Sequence, residues 1–455
     1  MLSIRHAKAL QGPLTLPPSP DLFLVAAMAS LAGRTRARIH PVRECPSFIQ
    51  WITAIEGRAA VSREGDSVII APGTPGPTDA VVFDSDHLPY RDLVVFLALG
   101  TRKRVLFRNV PEHRLAFWSE QAKRIGFGLE SVQEGTFRGL VLAAGAPAAG
   151  LPSSISEQDI NPALGLMFGL GLKHSFQIDC FLSTPLRCLC PSFGYTVTVQ
   201  RDIGEMEKDP LVRRIRIKAR QRLSPQDQLF TVTADFSAPA AQGEATSAPV
   251  DLRLPGDEVL LALFLAAKSL IPKGSFTIGN APLEPWASPI MGLMRKMGSK
   301  PAQQEMCQTA FGAAGIISLQ KFELTGQKTD FIPHYDYAFH LPAMAVLAAF
   351  AEGQSLFRKF EDLRRSDPDR IKQLETCLRT MRVKFGDIPD GFVIKGSQEH
   401  DGFDLIEPLP AGLAGAFAAA GLHCVGSSTV NDDLLLQRWP DFYELIEKHF
   451  EFKTP

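Results

Sequence analysis

Apolar stretches return along the chain in one format: a helix-like run that is apolar on every side, usually a glycine, then a short segment rich in β-branched or aromatic residues. It occurs as LVAAMASLAGRTRARIH from Leu24, LVVFLALGTRKRVLFRNV from Leu93 and ALGLMFGLGLKHSFQI from Ala163. It returns as LLALFLAAKSLIPKGSFTIGN from Leu260, AMAVLAAFAEGQSLFRKF from Ala343 and AGAFAAAGLHCVGSSTV from Ala414. Glycine after the run suits the position just past a helix end, where positive φ stops the helix without steric strain.

Each run precedes a second, more amphipathic helix candidate: CPSFIQWITAIEG, EHRLAFWSEQAKRIG, PSFGYTVTVQRDIG, EPWASPIMGLMRKMG, SDPDRIKQLETCLRTM and WPDFYELIEKHF. The third reads equally well as strand. A period of roughly 70 to 100 residues is too long for a solenoid and suits a small α/β unit. Between the third and fourth units lies SPQDQLFTVTADFSAPAAQGEATSAPVDLRLPGDE, rich in Ala, Pro, Ser and Gly, which marks the boundary between two groups of three.

Composition narrows the function classes. The chain has 455 residues, 45% hydrophobic and 21% charged, with a net charge of -1. That balance gives no footprint for nucleic acid or an acidic membrane surface, so a charged ligand must be held locally. The apolar runs fall short of the roughly 18 residues that cross a bilayer, and the N-terminus has no continuous apolar segment of a secretory signal. Seven scattered cysteines, an odd number, fit free thiols in a reducing compartment, and a cytoplasmic location is expected. Cys188-Leu189-Cys190 lacks the spacing of a zinc site, so no metal is expected.

Chemistry concentrates in FRKFEDLRRSDPDRIKQLETCLRTM, from Phe357 to Met381. Asp367 as N-cap and Pro368 as first helical residue predict a helix along which Ile371, Leu374, Leu378 and Met381 share a face. Arg364, Arg365 and Arg370 then crowd a helix start, whose dipole is already positive. Two readings stand: Glu361, Asp362, Asp367 and Asp369 neutralise a solvated surface, or a phosphate or carboxylate is gripped there. Arg91 precedes the second apolar helix, and Arg114 lies in the first turn of the helix after it. Ser154 or Ser156 is a candidate N-cap before the third, with Gln158 a candidate ligand donor. His334, Asp336 and His340 form a titratable group entering an apolar helix, from which a general base could come.

With six units in two groups, the chain resembles the enolpyruvyl transferase family in its EPSP synthase branch. The likeness is strongest in LPAMAVLAAFAEGQSLFRKFEDLRRSDPDRIKQLETCLRTMRVKFGDIPDGFVIKG, similar to the family's apolar helix, AEG, K-E-x-D-R and following hairpin. WPDFYELI, LPGDEVLLALFLAA and SISEQ are similar to further family motifs. The resemblance implies an α/β fold of two domains, each of three βαβαββ repeats (an inside-out α/β barrel), divided as 17–248 against 1–16 plus 249–455. It also implies transfer of the enolpyruvyl group from phosphoenolpyruvate to shikimate 3-phosphate or a related phosphorylated or carboxylated cyclic alcohol. No cofactor and no metal are needed, and a monomer is expected.

Carried over by position, the resemblance assigns Arg91, Arg114, Ser156, Gln158 and Arg370 to substrate binding, with Arg370 on the carboxylate of phosphoenolpyruvate. It assigns Asp336 or His340 as base and Asp367 as the acid of K-E-x-D-R. The chain departs from the family at its lysines, which fall at Pro20, Ser366 and Gln437, and at the family's D-H-R motif, which falls near Leu409–Ala411. The base aspartate falls at Phe339, three residues from Asp336. A catalytically silent member that binds an anionic metabolite or a partner protein is the alternative.

Overall fold

The structure is a computed structural model. It describes residues 1–72 and 248–452, apart from 34, 44, 47, 50–51, 53–58, 272, 285–286, 321–322, 331–336 and 365–368. Between these blocks it describes 80–83, 104–108, 112, 115–116, 118–120, 129–135, 137–142, 154–155, 176–181, 188–193, 196–200 and 231–237.

One unit shows how the repeat is built. The short strand Lys328–Asp330 pairs in parallel with Gly353–Arg358, and the helix Tyr337–Phe350 makes the crossover between them. The helix Arg370–Thr380 follows, then the hairpin Lys384–Ile388 and Gly391–Gly396, whose second arm pairs antiparallel with Gly353–Arg358. Among the described residues, five four-stranded sheets share this order of short parallel strand, central strand, second hairpin arm and first hairpin arm. In the third unit the stretch that read as helix or strand forms a 3₁₀ turn, Cys190–Phe193, and then the strand Thr196–Gln200.

The sixth unit is completed from the opposite end of the chain. Its central strand Ser427–Val430 pairs in parallel with Asp404–Leu405, and antiparallel with Leu2–Arg5. The next N-terminal strand, Ala7–Leu10, takes the final strand Phe450–Phe452.

Among the described residues, the first helices of the fourth, fifth and sixth units are apolar all round because they have no solvent face. All residues of Glu258–Leu270 are buried, and this helix packs against Tyr337–Phe350 and Ala411–Gly421, which also pack on each other. A Cβ on Gly415 would come within 2.4 Å of Leu263 Cδ1, so Ala and Gly in the last helix let its backbone approach closely. Leu263 and Gly415 each lie within the first two turns of their helices, so the close approach falls near both helix starts. Sheets cover this bundle, and stacked rings of Phe357, Phe392 and Phe385, at 4.7 and 5.2 Å between centroids, line the interior.

The second helix of the fifth unit begins later than its sequence predicts. Asp369, not Asp367, is the N-cap: its Oδ1 accepts from the Lys372 N–H at 2.9 Å, which leaves Arg370 as the first helical residue. Both aspartates suit a cap by type, and burial of the apolar face is the same for either start. Ile371, Leu374, Leu378 and Met381 are buried as their spacing predicts, joined by Cys377.

Two crossings link the halves of the chain. Strand Gly12–Thr15 pairs in parallel with Phe276–Pro282, and the chain then passes through Leu16–Ser19 into the helix Pro20–Gly33. Strand Val250–Arg253 pairs in parallel with Ala37–His40, and the chain returns through Leu254–Asp257 into Glu258–Leu270. The crossings run side by side. The Asp257 N–H donates to Pro17 O at 2.8 Å and the Ser19 N–H to Pro255 O at 3.2 Å. Gly256 is obligatory here, since a Cβ would lie 2.5 Å from both Asn280 O and Leu16 Cβ.

Candidate functional site

The two crossings deliver two helix starts to one place, and a buried charge cluster joins them. Ser19 Oγ accepts from the Leu22 N–H at 3.2 Å and caps the first helix. Asp257 caps the second: its Oδ1 accepts from the N–H groups of Val259 and Leu260 at 2.9 and 3.0 Å. The other oxygen of Asp257 accepts from Arg438 Nη2 and Trp439 Nε1, both at 3.1 Å. Arg438 Nη1 reaches Asp21 Oδ2 at 2.7 Å, and its guanidinium lies 5.1 Å from the centroid of the Trp439 ring. One arginine thus ties the starts of both helices together.

Glu258 is the odd member. It is fully buried beside Asp21, Asp257 and Arg438, and neither carboxyl oxygen has a hydrogen-bond partner. Burial, and then the charges of Asp257 and Asp21, push its pKa well above the usual carboxylate value, against a smaller opposing pull from Arg438. Burial also raises Asp21, opposed by Arg438. Burial alone would lower the Arg438 pKa, but the three carboxylates outweigh it and hold the guanidinium charged.

The raised Glu258 pKa fixes a pH dependence. Between its unfolded value of 4.5 and its folded value, the native state holds a proton that the unfolded chain has released. Stability therefore falls as pH rises through that window, by about 1.4 kcal/mol per pH unit. Glu258→Gln is expected to remove this slope. Its urea midpoint should match the wild type near pH 4.5 and exceed it at pH 8, and equal midpoints at both pH values would contradict the assignment.

The candidate site residues are placed unevenly. Arg91, Arg114, Ser156, Gln158, Asp336 and Asp367 lie outside the described residues. Arg370 is half-buried at the first position of its helix, directly after the capping Asp369. Arg364 is engaged elsewhere: it forms an ion pair with Asp387 and its Nη2 donates to Gly391 O at 3.2 Å. His340 sits in the first turn of Tyr337–Phe350, fully buried, and neither ring nitrogen has a partner. Burial lowers its pKa to about 3, so the imidazole is neutral at physiological pH.

The helix Ala411–Gly421 has no side-chain cap, since Pro410 stands at its N-cap. Asp21, Glu258 and Arg438 were absent from the sequence-derived set. Their signal was a charge set against an apolar run, in PDLFLVAAMA, GDEVLLALFLAA and LLLQRW. Pro20 and Gln437, where family lysines are expected, each directly precede a member of this cluster.

Comparison with known proteins agrees with this architecture. The model of the EPSP synthase family (3-phosphoshikimate 1-carboxyvinyltransferase) matches residues 233–445. A 3-phosphoshikimate 1-carboxyvinyltransferase of Koribacter versatilis (strain Ellin345) is 27% identical over 213 residues, which is 47% of this chain and 50% of the relative. Another, from Xanthomonas euvesicatoria pv. vesicatoria (strain 85-10), is 28% identical over 206 residues, 45% of this chain and 46% of the relative. The chain thus matches about half the length of these curated relatives. Over the whole chain the likeness is one of fold. An EPSP synthase structure from Acinetobacter baumannii superposes with a TM-score of 0.68 at 14% identity, covering 99% of this chain and 98% of that one. The enolpyruvyl transferase NikO from Streptomyces tendae gives a TM-score of 0.64 at 14% identity, covering 100% of this chain and 99% of that one. The sequence likeness to the EPSP synthase family is thus confined to residues 233–445, and the mixed α/β fold is shared with these enolpyruvyl transferases from end to end.

Proposed function

We propose that the protein is an EPSP synthase-like transferase, moving the enolpyruvyl group of phosphoenolpyruvate to shikimate 3-phosphate or a related cyclic alcohol with release of phosphate, a step of the shikimate pathway. The observation that carries this reading is the family match over residues 233–445, within which Arg370 is the first residue of the helix Arg370–Thr380. A guanidinium at the positive end of a helix suits a carboxylate. In the reaction the acceptor hydroxyl adds to C2 of phosphoenolpyruvate as a proton reaches its methylene carbon. The adduct then loses a proton from the new methyl group, and phosphate leaves. Arg370, Arg114 and Arg91 supply positive charge for the carboxylate and phosphates, and Ser156 and Gln158 orient the acceptor. A buried imidazole with a pKa of about 3 is a poor proton acceptor at neutral pH, which favours Asp336 over His340 as base. In this reading the chain forms two three-unit domains, 17–248 and 1–16 plus 249–455, that close on the substrates.

A second reading has its own support. Proline and glutamine stand at positions where family lysines are expected, and the neighbouring Arg438 is committed to Asp21 and Asp257. These features favour a silent member that binds an anionic metabolite without turnover. Incubation with phosphoenolpyruvate and shikimate 3-phosphate, with phosphate release followed, separates the two. The transferase reading expects release that requires both substrates. A thermal shift with phosphoenolpyruvate and no release, with this acceptor and related cyclic alcohols, would leave only the silent member.

A further inference from the structure

Beside the crossings lies an open cavity of about 590 Å³, and none of its lining residues is a candidate site residue. This volume falls within the range of small-molecule sites. Its walls come from distant parts of the chain: Leu16, Pro17 and Pro18 of the first crossing, Pro41 and Val42 after the strand Ala37–His40, and Arg253 at the start of the second crossing.

The floor is apolar and rigid, since three of those residues are prolines. Arg253 is exposed, and its guanidinium has no ion pair or hydrogen bond among the described residues. Arg43, the other cation of the wall, is already ion-paired with Asp441. The side chain of Met306 stands 59% exposed at the same cavity, an apolar surface left in water. One unspent guanidinium above an apolar floor selects a ligand with one negative charge and an apolar body. The Asp441 carboxylate in the wall disfavours a dianion such as phosphate, whereas a planar carboxylate can pair with both arms of Arg253.

The geometry points to a second ligand site here, taking a small organic monocarboxylate with an apolar body on the order of a dozen heavy atoms. This inference does not depend on the proposed transferase activity. A ligand in the cavity touches both crossings, so it bears on the segments that join the halves of the chain.

Saturation-transfer NMR on the full chain tests it, with 3-phenylpropanoate and cyclohexanecarboxylate as probes, their neutral amides as controls and inorganic phosphate as the dianion arm. Both carboxylates should receive saturation at millimolar concentration, the amides should bind at least five-fold more weakly, and an excess of phosphate as competitor should leave the carboxylate signals in place. Arg253→Met should abolish the carboxylate signal while the circular dichroism spectrum stays that of the wild type. Excess phosphoenolpyruvate should not displace the probes, and Arg370→Met should retain them. Absence of signal from both carboxylates, equal binding of the amides, retention in Arg253→Met, or displacement by phosphoenolpyruvate would each overturn the proposal. None of these outcomes bears on whether phosphate is released from phosphoenolpyruvate, so the two readings fail separately.

Discussion

Arg438→Met is expected to destabilise the protein by about 3–5 kcal/mol, the cost of breaking a buried ion pair by removing one partner. The side chain is 13% exposed and is the cation that faces Asp21, Asp257 and Glu258. Methionine fills much of the volume but leaves these carboxylates together without a counter-charge, and Trp439 loses the cation over its ring. Arg438→Lys should fall between, because one ammonium cannot reproduce a fork that reaches two carboxylates on two helices. Adding Asp21→Asn to Arg438→Met should recover part of the loss, since the second change removes a charge that the first left unpaired. Urea unfolding of the three variants measures this. An Arg438→Met unfolding free energy within about 1 kcal/mol of the wild type would mean that water reaches the cluster and screens it.

The same cluster shows where sequence reading stops. The repeat was legible because its cause is local: a helix surrounded by other helices and sheets must be apolar all round, so runs such as AMAVLAAFAEG and AGAFAAAGLHC announce themselves. Gly353, with φ at 94°, stands where the format requires it. The completion of the sixth unit was not legible in the repeat itself, since Leu2–Arg5 meets Ser427–Val430 across nearly the whole chain and no periodicity links them; only the family resemblance grouped residues 1–16 with 249–455. Asp21, Glu258 and Arg438 are separated in the same way. Alone, each reads as an acid in a helix's first turn or a base near a helix's end, which are ordinary placements. Only the pairing of the two crossings brings them to one point. The start of the helix Arg370–Thr380 is a finer case: type alone cannot rank Asp367 against Asp369, and the hydrogen bond to Lys372 decides it.

Arg370 and Arg364 are expected to separate binding from stability. Under the proposed transferase reading, Arg370→Met should lower kcat/KM for phosphoenolpyruvate by about 10²–10³, the range for removing one preorganised charge-stabilising donor. Its effect on stability should stay small, because an arginine at the first position adds positive charge to the positive end of a helix. Arg364 occupies the opposite situation. It bridges the short helix Glu361–Arg364 to the hairpin through Asp387 and Gly391 O, where a Cβ on Gly391 would lie 2.0 Å from Phe357 O, so that strand cannot shift to compensate. Arg364→Met should therefore lower the unfolding midpoint while leaving KM for phosphoenolpyruvate close to the wild type. Steady-state kinetics and urea unfolding on both variants give four numbers with a defined pattern. If Arg364→Met loses phosphoenolpyruvate as strongly as Arg370→Met does, the anion is held by the arginine-rich segment as a whole. If Arg370→Met leaves both kinetics and phosphoenolpyruvate binding unchanged, the helix start at Asp369–Arg370 is not where the carboxylate binds.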